Sequence, residues 1–311
     1  MTQPPAGFGF GARDGGDDTD AVPVCPRHPD TAAYTRCQRC GRPACPRCQV
    51  PASVGFQCVD CVAAERKANP APATRSSLGM TTAVAPEGRP LVTIGIIAIC
   101  CLVWLGQMAS DAFYRDVAFY AVLARDEPWR YVTSGFAHDT STPMHLLFNM
   151  MALYFMGQYL EPMIGRVRFA ALYLLCVLGG SVAYQIMTAP STPVELGTSG
   201  WLTPLVGASG GVFGLFLAVV VFNRRLGREI GPMMTMIAIN VVIGFMASNV
   251  AWQAHLGGAV VGAIGAGVLY ALRRRPAAIQ GAALAAIAVA LVMAAYVNFS
   301  MTGVEWPLIV G

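Results

Sequence analysis

The sequence has little charge. Only 12% of its 311 residues are Asp, Glu, Lys or Arg, whereas 55% are hydrophobic. Soluble domains carry about 25% charged residues, so this composition excludes an ordinary soluble protein and predicts a membrane protein. The formal net charge is only +4, and the arginines fall at the ends of apolar runs rather than on one basic face. We therefore expect no nucleic-acid partner.

Residues 1–20 also lack a long apolar run. Residues 1–20 are rich in Gly, Pro and Asp and contain no apolar core, so no secretory signal peptide is expected there. Residues 1–22 are predicted to be a disordered tail. Residues 63–90, rich in Ala, Pro, Ser and Thr without periodicity, are predicted to be a flexible linker. The residues between them, 23–62, form a separate cysteine-rich module.

Long apolar runs fill the chain after about residue 90. Seven of them reach or approach the ~20 residues that cross a bilayer. They lie at about 91–108, 145–161, 169–188, 205–222, 231–247, 252–272 and 278–299. The sequence therefore predicts an all-α polytopic membrane protein with a six-helix core over 91–272 and an additional C-terminal helix and tail over 273–311. The long joint at 109–144 is predicted to be a structured interfacial loop.

The arginines indicate the orientation. Short cytoplasmic loops retain Lys and Arg. The joints after the second, fourth and sixth predicted helices carry arginine, and those after the third and fifth carry none. The arginines concerned are Arg166, Arg168, Arg224, Arg225, Arg228, Arg273, Arg274 and Arg275. We expect a multi-pass protein of the plasma membrane with a cytoplasmic N-terminus and an extracytoplasmic C-terminus.

A few polar side chains lie within the predicted spans, where they are costly and usually functional. They are His145, Asn149, Ser209, Asn240 and His255. The second, fourth and sixth helices run in the same direction, and all of these residues except Asn240 fall near the outer ends of those helices. These four residues, which come from three separate helices, are therefore expected at the same depth in the bilayer. Asn240 is interpreted as a contact between helices.

The surroundings of Ser209 are typical of a nucleophile. In the segment GASGG around Ser209, small neighbours let a substrate backbone approach and leave backbone N–H groups uncovered. On the sixth helix, Gly258 and Gly262 share the face of His255 and predict close packing, with the fourth helix as the natural neighbour.

A third, acidic member of a triad is missing. No aspartate follows Asp139, and the later glutamates cannot reach the depth of His255 without rearrangement. The residues predict a dyad in which Ser209 attacks and His255 is the general base. His145 and Asn149, spaced i and i+4, share a helix face and can donate hydrogen bonds to an oxyanion.

Three motifs, HLLFN (145–149), GASG (207–210) and AHLGG (254–258), in this order and topology resemble the rhomboid family of intramembrane serine proteases. The resemblance covers about residues 90–272 and includes Trp129, Arg130, His138 and Glu161. It implies a six-helix proteolytic core, no cofactor for catalysis, and cleavage of transmembrane protein substrates near their outer ends. By motif alignment, Ser209 and His255 are catalytic, and His145 and Asn149 line the oxyanion site. Membrane lipid and these substrates are the expected partners.

Each of these residues, taken singly, also fits a structural role. Ser209 alone is typical of a small packing residue, and His255 alone of a structural contact between helices. Their joint occurrence with His145 and Asn149 favours catalysis. The alternative function is a catalytically silent rhomboid-like scaffold that binds membrane proteins. Trp129 and Arg130 fit either an interfacial anchor with a phosphate contact or a role in the loop, and His138 fits a role in loop structure.

The cysteine-rich module contains four paired ligands. The pairs are Cys25 with His28, Cys37 with Cys40, Cys45 with Cys48, and Cys58 with Cys61. Such pairs predict two tetrahedral zinc sites, and a cytoplasmic location argues against disulfides. The spacing resembles B-box-type zinc fingers, which implies that the first pair shares a metal with the third and the second with the fourth. A sequential, ribbon-like pairing stays open. We expect the module to bind an unidentified protein partner or to regulate.

Overall fold

The computed structural model describes residues 22–52, 54–68, 74–75, 81–82, 89–231, 234–235, 237–239 and 251–304. The chain divides into two compact units, residues 1–72 and 73–311. We call them the head and the helical unit. The tail predicted over residues 1–22 lies almost wholly outside the described residues, as does most of the predicted linker.

The head consists of two short hairpins and a helix. Its elements are β1 (Val24–Cys25), β2 (His28–Ala32), a 3₁₀ turn at Pro46–Cys48, β3 (Gln49–Pro51), β4 (Phe56–Cys58) and α1 (Val59–Ala68). Both hairpins are antiparallel. The buried side chains of the head are cysteines together with Ala33 and Ala44. A core this small cannot hold a domain together without further links, which metal ions supply in other small domains.

The helical unit is formed mainly by helices. Its elements are β5 (Thr74–Arg75), β6 (Thr81–Thr82), α2 (Leu91–Ala109), α3 (Asp111–Val117), α4 (Arg130–Thr133), α5 (Pro143–Ile164), α6 (Arg166–Met187), α7 (Ser209–Arg225), α8 (Trp252–Ala271) and α9 (Ala277–Met301). Two 3₁₀ segments, Pro193–Thr198 and Gly200–Leu202, join α6 to α7. The strands β5 and β6 pair with each other.

Six of the predicted spans have a counterpart among these helices. The prediction at 205–222 was wrong at its start, because α7 begins at Ser209 after a turn in which Gly207 has a φ of 137°. The span predicted at 231–247 lies largely outside the described residues. The joint at 109–144 is structured, as predicted, and contains α3 and α4.

Four helices in the described part of the chain are long and apolar enough to cross a membrane, namely α2, α6, α8 and α9. Of the other two long helices, α7 has only 17 residues, and α5 carries His145, Asn149 and Glu161. The composition thus agrees with a multi-pass membrane protein.

The helix α6 lies at the centre of the unit, since 72% of its most apolar window is buried, compared with 22% for α2 and 11% for α9. Small residues let α7 and α8 approach closely. A Cβ atom on Gly262 would lie 2.1 Å from the carbonyl oxygen of Gly214. The predicted packing of these two helices through glycine is therefore confirmed.

Arg130 anchors the loop after α3. Its side chain is buried and donates hydrogen bonds to the carbonyls of Asp116, at 3.0 Å, and Ala118, at 2.7 Å. The neighbouring Trp129 is exposed. Of the two interpretations of Arg130, the structure favours the role in the loop, because a guanidinium with these partners is not free to hold a lipid phosphate.

Candidate active site

The side chains of Ser209 and His255 meet, although 46 residues separate them in the sequence. His255 Nε2 lies 2.8 Å from Ser209 Oγ, a hydrogen-bond distance. Ser209 is the first residue of α7, and His255 lies in the first turn of α8. Both residues are half-buried. This contact is the one that a serine nucleophile and its general base require.

The ring of His255 is held in place by an aromatic neighbour. Phe213, one turn after Ser209 on α7, stacks on the imidazole with ring centroids 4.2 Å apart and an interplanar angle of 9°. Within the described residues, no carboxylate bonds to His255. Among the described residues, the contact that restricts the orientation of this ring is therefore the aromatic stacking and not a carboxylate.

The start of α7 leaves backbone N–H groups uncovered beside the hydroxyl. The first N–H groups of a helix have no partner within the helix and carry partial positive charge, which favours an anion. Ser209 occupies this position. Gly207 supplies the turn, and a Cβ there would lie 3.1 Å from the His145 ring and 3.4 Å from Ser209 Oγ. Only glycine keeps this space free.

His145 can offer a proton to the same space. The backbone N–H of Asp139 donates to its Nδ1 at 3.3 Å, so the neutral ring carries its proton on Nε2. That nitrogen faces the Cβ position of Gly207 at 3.1 Å. Asn149 follows one turn later, and its Nδ2 donates to the carbonyl of His145 at 2.9 Å. The amide keeps a second N–H for another acceptor.

His138 supports the backbone rather than the chemistry. It is fully buried, and its Nε2 accepts a hydrogen bond from the N–H of Ala208 at 3.4 Å. Its Nδ1 lies 3.3 Å from the carbonyl of Phe136, to which it donates. These two bonds fix the residue that precedes Ser209, as the interpretation of His138 as a structural residue predicts.

A small recess opens beside Ser209. It is lined mainly by small residues: Ser134, Gly135, Val177, Gly180, Ser181, Leu205, Gly207, Ser209, Gly210 and Ala254. Sequence reasoning missed Ser134 and Ser181. Nothing in their spacing distinguishes them from the many other small residues of the chain, because only the packing of α6 against α4 brings them to this recess.

In the head, the eight predicted metal ligands form two groups. One contains Cys25, His28, Cys45 and Cys48, and the other contains Cys37, Cys40, Cys58 and Cys61. The ligand atoms of each group lie within 4.8 Å of one another. The ligand atoms are therefore grouped in the alternate order that the B-box resemblance implies, and not in the sequential order. None of the ten cysteines forms a disulfide.

The distances within the groups fit a tetrahedral metal. Zinc bonds of ~2.3 Å to sulfur and ~2.0 Å to nitrogen place neighbouring ligand atoms about 3.5–3.8 Å apart. His28 Nδ1 lies 3.4 Å from the Sγ atoms of both Cys45 and Cys48, and Cys40 Sγ lies 3.7 Å from Cys58 Sγ. A hydrogen bond from the backbone of Cys45 lowers the pKa of the Cys25 thiol to about 6, whereas burial raises the pKa of the Cys48 thiol in the same group to about 11.

In a comparison with known proteins, residues 125–272 match a family model that is described as the rhomboid domain. The rhomboid protein YdcA of Bacillus subtilis is 33% identical over 176 residues, which cover 54% of this chain and 83% of YdcA. Rhomboid protease GluP of Bacillus subtilis is 31% identical, over 60% of this chain and 36% of GluP. Rhomboid protease AarA of Providencia stuartii is 27% identical, over 51% of this chain and 62% of AarA. The chain thus spans less than two thirds of GluP and of AarA.

Proposed function

This chain belongs to the rhomboid family, and on that premise we propose that it is an intramembrane serine endopeptidase that cleaves transmembrane segments near the outer side of the bilayer. The observation that carries the proposal is the distance of 2.8 Å between His255 Nε2 and Ser209 Oγ. The names of the related proteases GluP and AarA support the same reaction class.

The proposed chemistry follows from the positions of the side chains. His255 takes the proton of Ser209 as Oγ attacks the carbonyl carbon of the peptide bond, and later gives that proton to the leaving amine. The oxyanion accepts hydrogen bonds from the N–H of Ser209, from His145 Nε2 and from the second N–H of Asn149. Catalysis requires no cofactor in this scheme, since a nucleophile, a base and oxyanion donors are all supplied by the chain.

A serine-directed probe tests the assignment. We expect a fluorophosphonate to label the detergent-purified protein, and we expect the label to be absent from Ser209→Ala. Ser300→Ala is a matched control, because Ser300 is exposed on α9 and belongs to no proposed site. Equal labelling of the wild type and Ser209→Ala would contradict the proposal.

The alternative is a catalytically silent scaffold that binds membrane proteins. A scaffold needs neither the contact between Ser209 and His255 nor the uncovered N–H groups at the start of α7. Comparison of membrane proteomes from cells with the wild type and with Ser209→Ala separates the two functions. A protease leaves shortened membrane proteins only in the wild type, and a scaffold leaves the same proteins in both.

We also propose that the chain lies in the plasma membrane with its N-terminus in the cytoplasm and its C-terminus outside. The arginines at the ends of α7 and α8, among them Arg224 and Arg273, support this orientation. A C-terminal alkaline phosphatase fusion tests it, because the enzyme is active only outside the cytoplasm. Activity of the corresponding N-terminal fusion would contradict the proposed orientation.

For the head we propose two Zn²⁺ ions, one in each ligand group. Bound metal would link the hairpins and α1 in a unit whose buried side chains are mostly cysteines. The head has no proposed role in the chemistry at Ser209. We propose instead that it binds a protein partner or regulates the protease.

A further inference from the structure

The C-terminal helix α9 is joined to the centre of the helical unit by a buried amide. Gln185, near the end of α6, is fully buried. Its Nε2 donates to the carbonyl of Ala295 at 2.9 Å and to Oδ1 of Asn298 at 3.2 Å, both on α9. Both N–H groups of the amide are therefore used on α9.

An aromatic contact lies beside this amide. The ring of Phe299, the next residue on α9, stacks on Trp201 with ring centroids 5.1 Å apart. Trp201 is fully buried, and its Nε1 donates to the backbone carbonyl of Gln185 at 2.9 Å. Asn298 and Phe299 thus hold, respectively, the end of α6 and the segment that leads into α7.

The carbonyl oxygen of the Gln185 side chain is connected to the active site through further hydrogen bonds. This Oε1 atom accepts a hydrogen bond from the hydroxyl of Tyr131 on α4. The carbonyl of Tyr131 accepts from Ser181 Oγ at 2.9 Å, and Ser181 Oγ lies 3.5 Å from Ser134 Oγ.

The carbonyl of Ser134 then accepts a hydrogen bond from the backbone N–H of Gly207 at 3.0 Å. Gly207 forms the turn that places the N–H groups beside Ser209. Hydrogen bonds, connected through the covalent frames of Tyr131 and Ser134, therefore link Asn298 to the residue two positions before the nucleophile.

Little of α9 is buried against the rest of the helical unit. Only 11% of its most apolar window is buried, and side chains such as Val292, Tyr296 and Val297 are exposed. A helix with so little buried surface is held in one orientation by specific contacts, and in an apolar solvent hydrogen bonds between helices serve this purpose. At the end of α9 nearest Ser209, those contacts are made by Asn298 and Phe299.

We propose that Asn298 and Phe299 are positioning residues for catalysis, which act through Gln185, Trp201 and Tyr131 to hold the turn at Gly207. The inference rests on the proposed protease function. It assigns to α9, which lies outside the residues matched by the rhomboid domain, a role in aligning the oxyanion site. The expected defect is therefore in turnover and not in substrate binding.

The test compares Asn298→Ala and Phe299→Ala with two controls on the same helix, Val297→Ala and Tyr296→Ala. The controls remove side chains of similar size from the exposed face. Each full-length protein is assayed with a quenched-fluorescence peptide that contains an Ala-, Gly- and Leu-rich transmembrane segment. The assays give kcat, KM and the rate of fluorophosphonate labelling, well below each variant's unfolding temperature. Asn298→Asp keeps an oxygen at the position of Oδ1 and serves as the rescue variant.

We expect each alanine variant to lower kcat about tenfold with KM unchanged, since a small displacement of catalytic groups has a large effect on rate. The controls should match the wild type, and Asn298→Asp should recover most of the lost kcat. Wild-type kcat in Asn298→Ala and Phe299→Ala would overturn the inference, as would equal losses in the controls. If one variant fails to fold, the other decides. A wild type that neither cleaves nor labels would instead overturn the proposed function, and the inference with it.

Discussion

Gly258 on α8 lies against the carbonyl oxygen of Gly210 on α7, so closely that a Cβ on Gly258 would be 1.9 Å from that oxygen. Gly210 follows Ser209 directly, and Gly258 lies about one helical turn after His255. The close approach of the two helices at this point therefore sets the distance between the nucleophile and its base.

Substitution of Gly258 should separate the dyad. In Gly258→Ala the new methyl group must push α8 away from α7, and a shift of about 1 Å can lower turnover about 100-fold. Gly267→Ala is the matched control on the same helix, because a Cβ there meets nothing within 4 Å. Peptide cleavage by the purified variants measures the effect. Similar rates for the two variants would show that the helix contact does not govern the dyad.

Asn149→Ala and His255→Ala should differ in kind. Removal of one oxyanion donor lowers turnover about 10²–10³-fold, because the donor acts only as charge develops, so Asn149→Ala should still react with a small activated probe. His255→Ala should lose probe labelling and hydrolysis together, since the hydroxyl keeps its proton without a base. Labelling rates and peptide cleavage are measured side by side. If His145→Ala abolished labelling by the probe and His255→Ala did not, the general base would be His145.

The recess beside Ser209 should select small side chains. Its walls include Gly180, Ser181 and Ala254, and a bulky group would have to displace backbone that is already closely packed. We expect peptides with Ala or Ser before the cleaved bond to have kcat/KM values at least about tenfold above those with Phe. A peptide series that differs only at this residue measures the preference. Equal kcat/KM values across the series would mean that this recess does not receive the side chain before the cleaved bond.

Glu161 should stabilise the start of α2. Its buried carboxylate accepts from the N–H of Val92 at 3.0 Å, and from the N–H of Thr93 at 2.9 Å and its hydroxyl at 2.7 Å. Glu161→Gln replaces one acceptor oxygen by a donor and should lower the free energy of unfolding by about 2 kcal/mol. Thermal unfolding in detergent measures the change. Glu229→Gln, at an exposed position, is the control, and an equal Tm for both variants would contradict the prediction.

Loss of one head cysteine should remove one metal ion. Cys45→Ser removes a ligand from the group that contains His28, so we expect the zinc content of the purified full-length protein to fall from two ions to one, given two ligand groups. Cys101→Ser, outside both groups, should keep both ions. Elemental analysis measures the ratio of zinc to protein. A wild type without zinc, or a Cys101→Ser variant that loses it, would contradict the proposal for the head.

Much of the architecture could be predicted from the sequence, because hydropathy in a bilayer is a local property. The helices at Leu91–Ala109 and Trp252–Ala271 end within one residue of their predicted bounds. The prediction failed at the start of α7, where the apolar run begins before the helix does. A turn at Gly207 interrupts it, and apolarity does not distinguish a buried turn from a helix.

The sequence by itself determined the candidate residues, since Ser209, His255, His145 and Asn149 stand out as polar side chains in apolar spans, and the paired cysteines stand out by spacing. Only the tertiary structure decided the contact between Ser209 and His255 and the links that lead from Asn298 through Gln185 to Gly207. These contacts join residues far apart in the chain. They depend on how closely small residues let helices approach, and that closeness is a property of packed pairs of helices and not of any one segment.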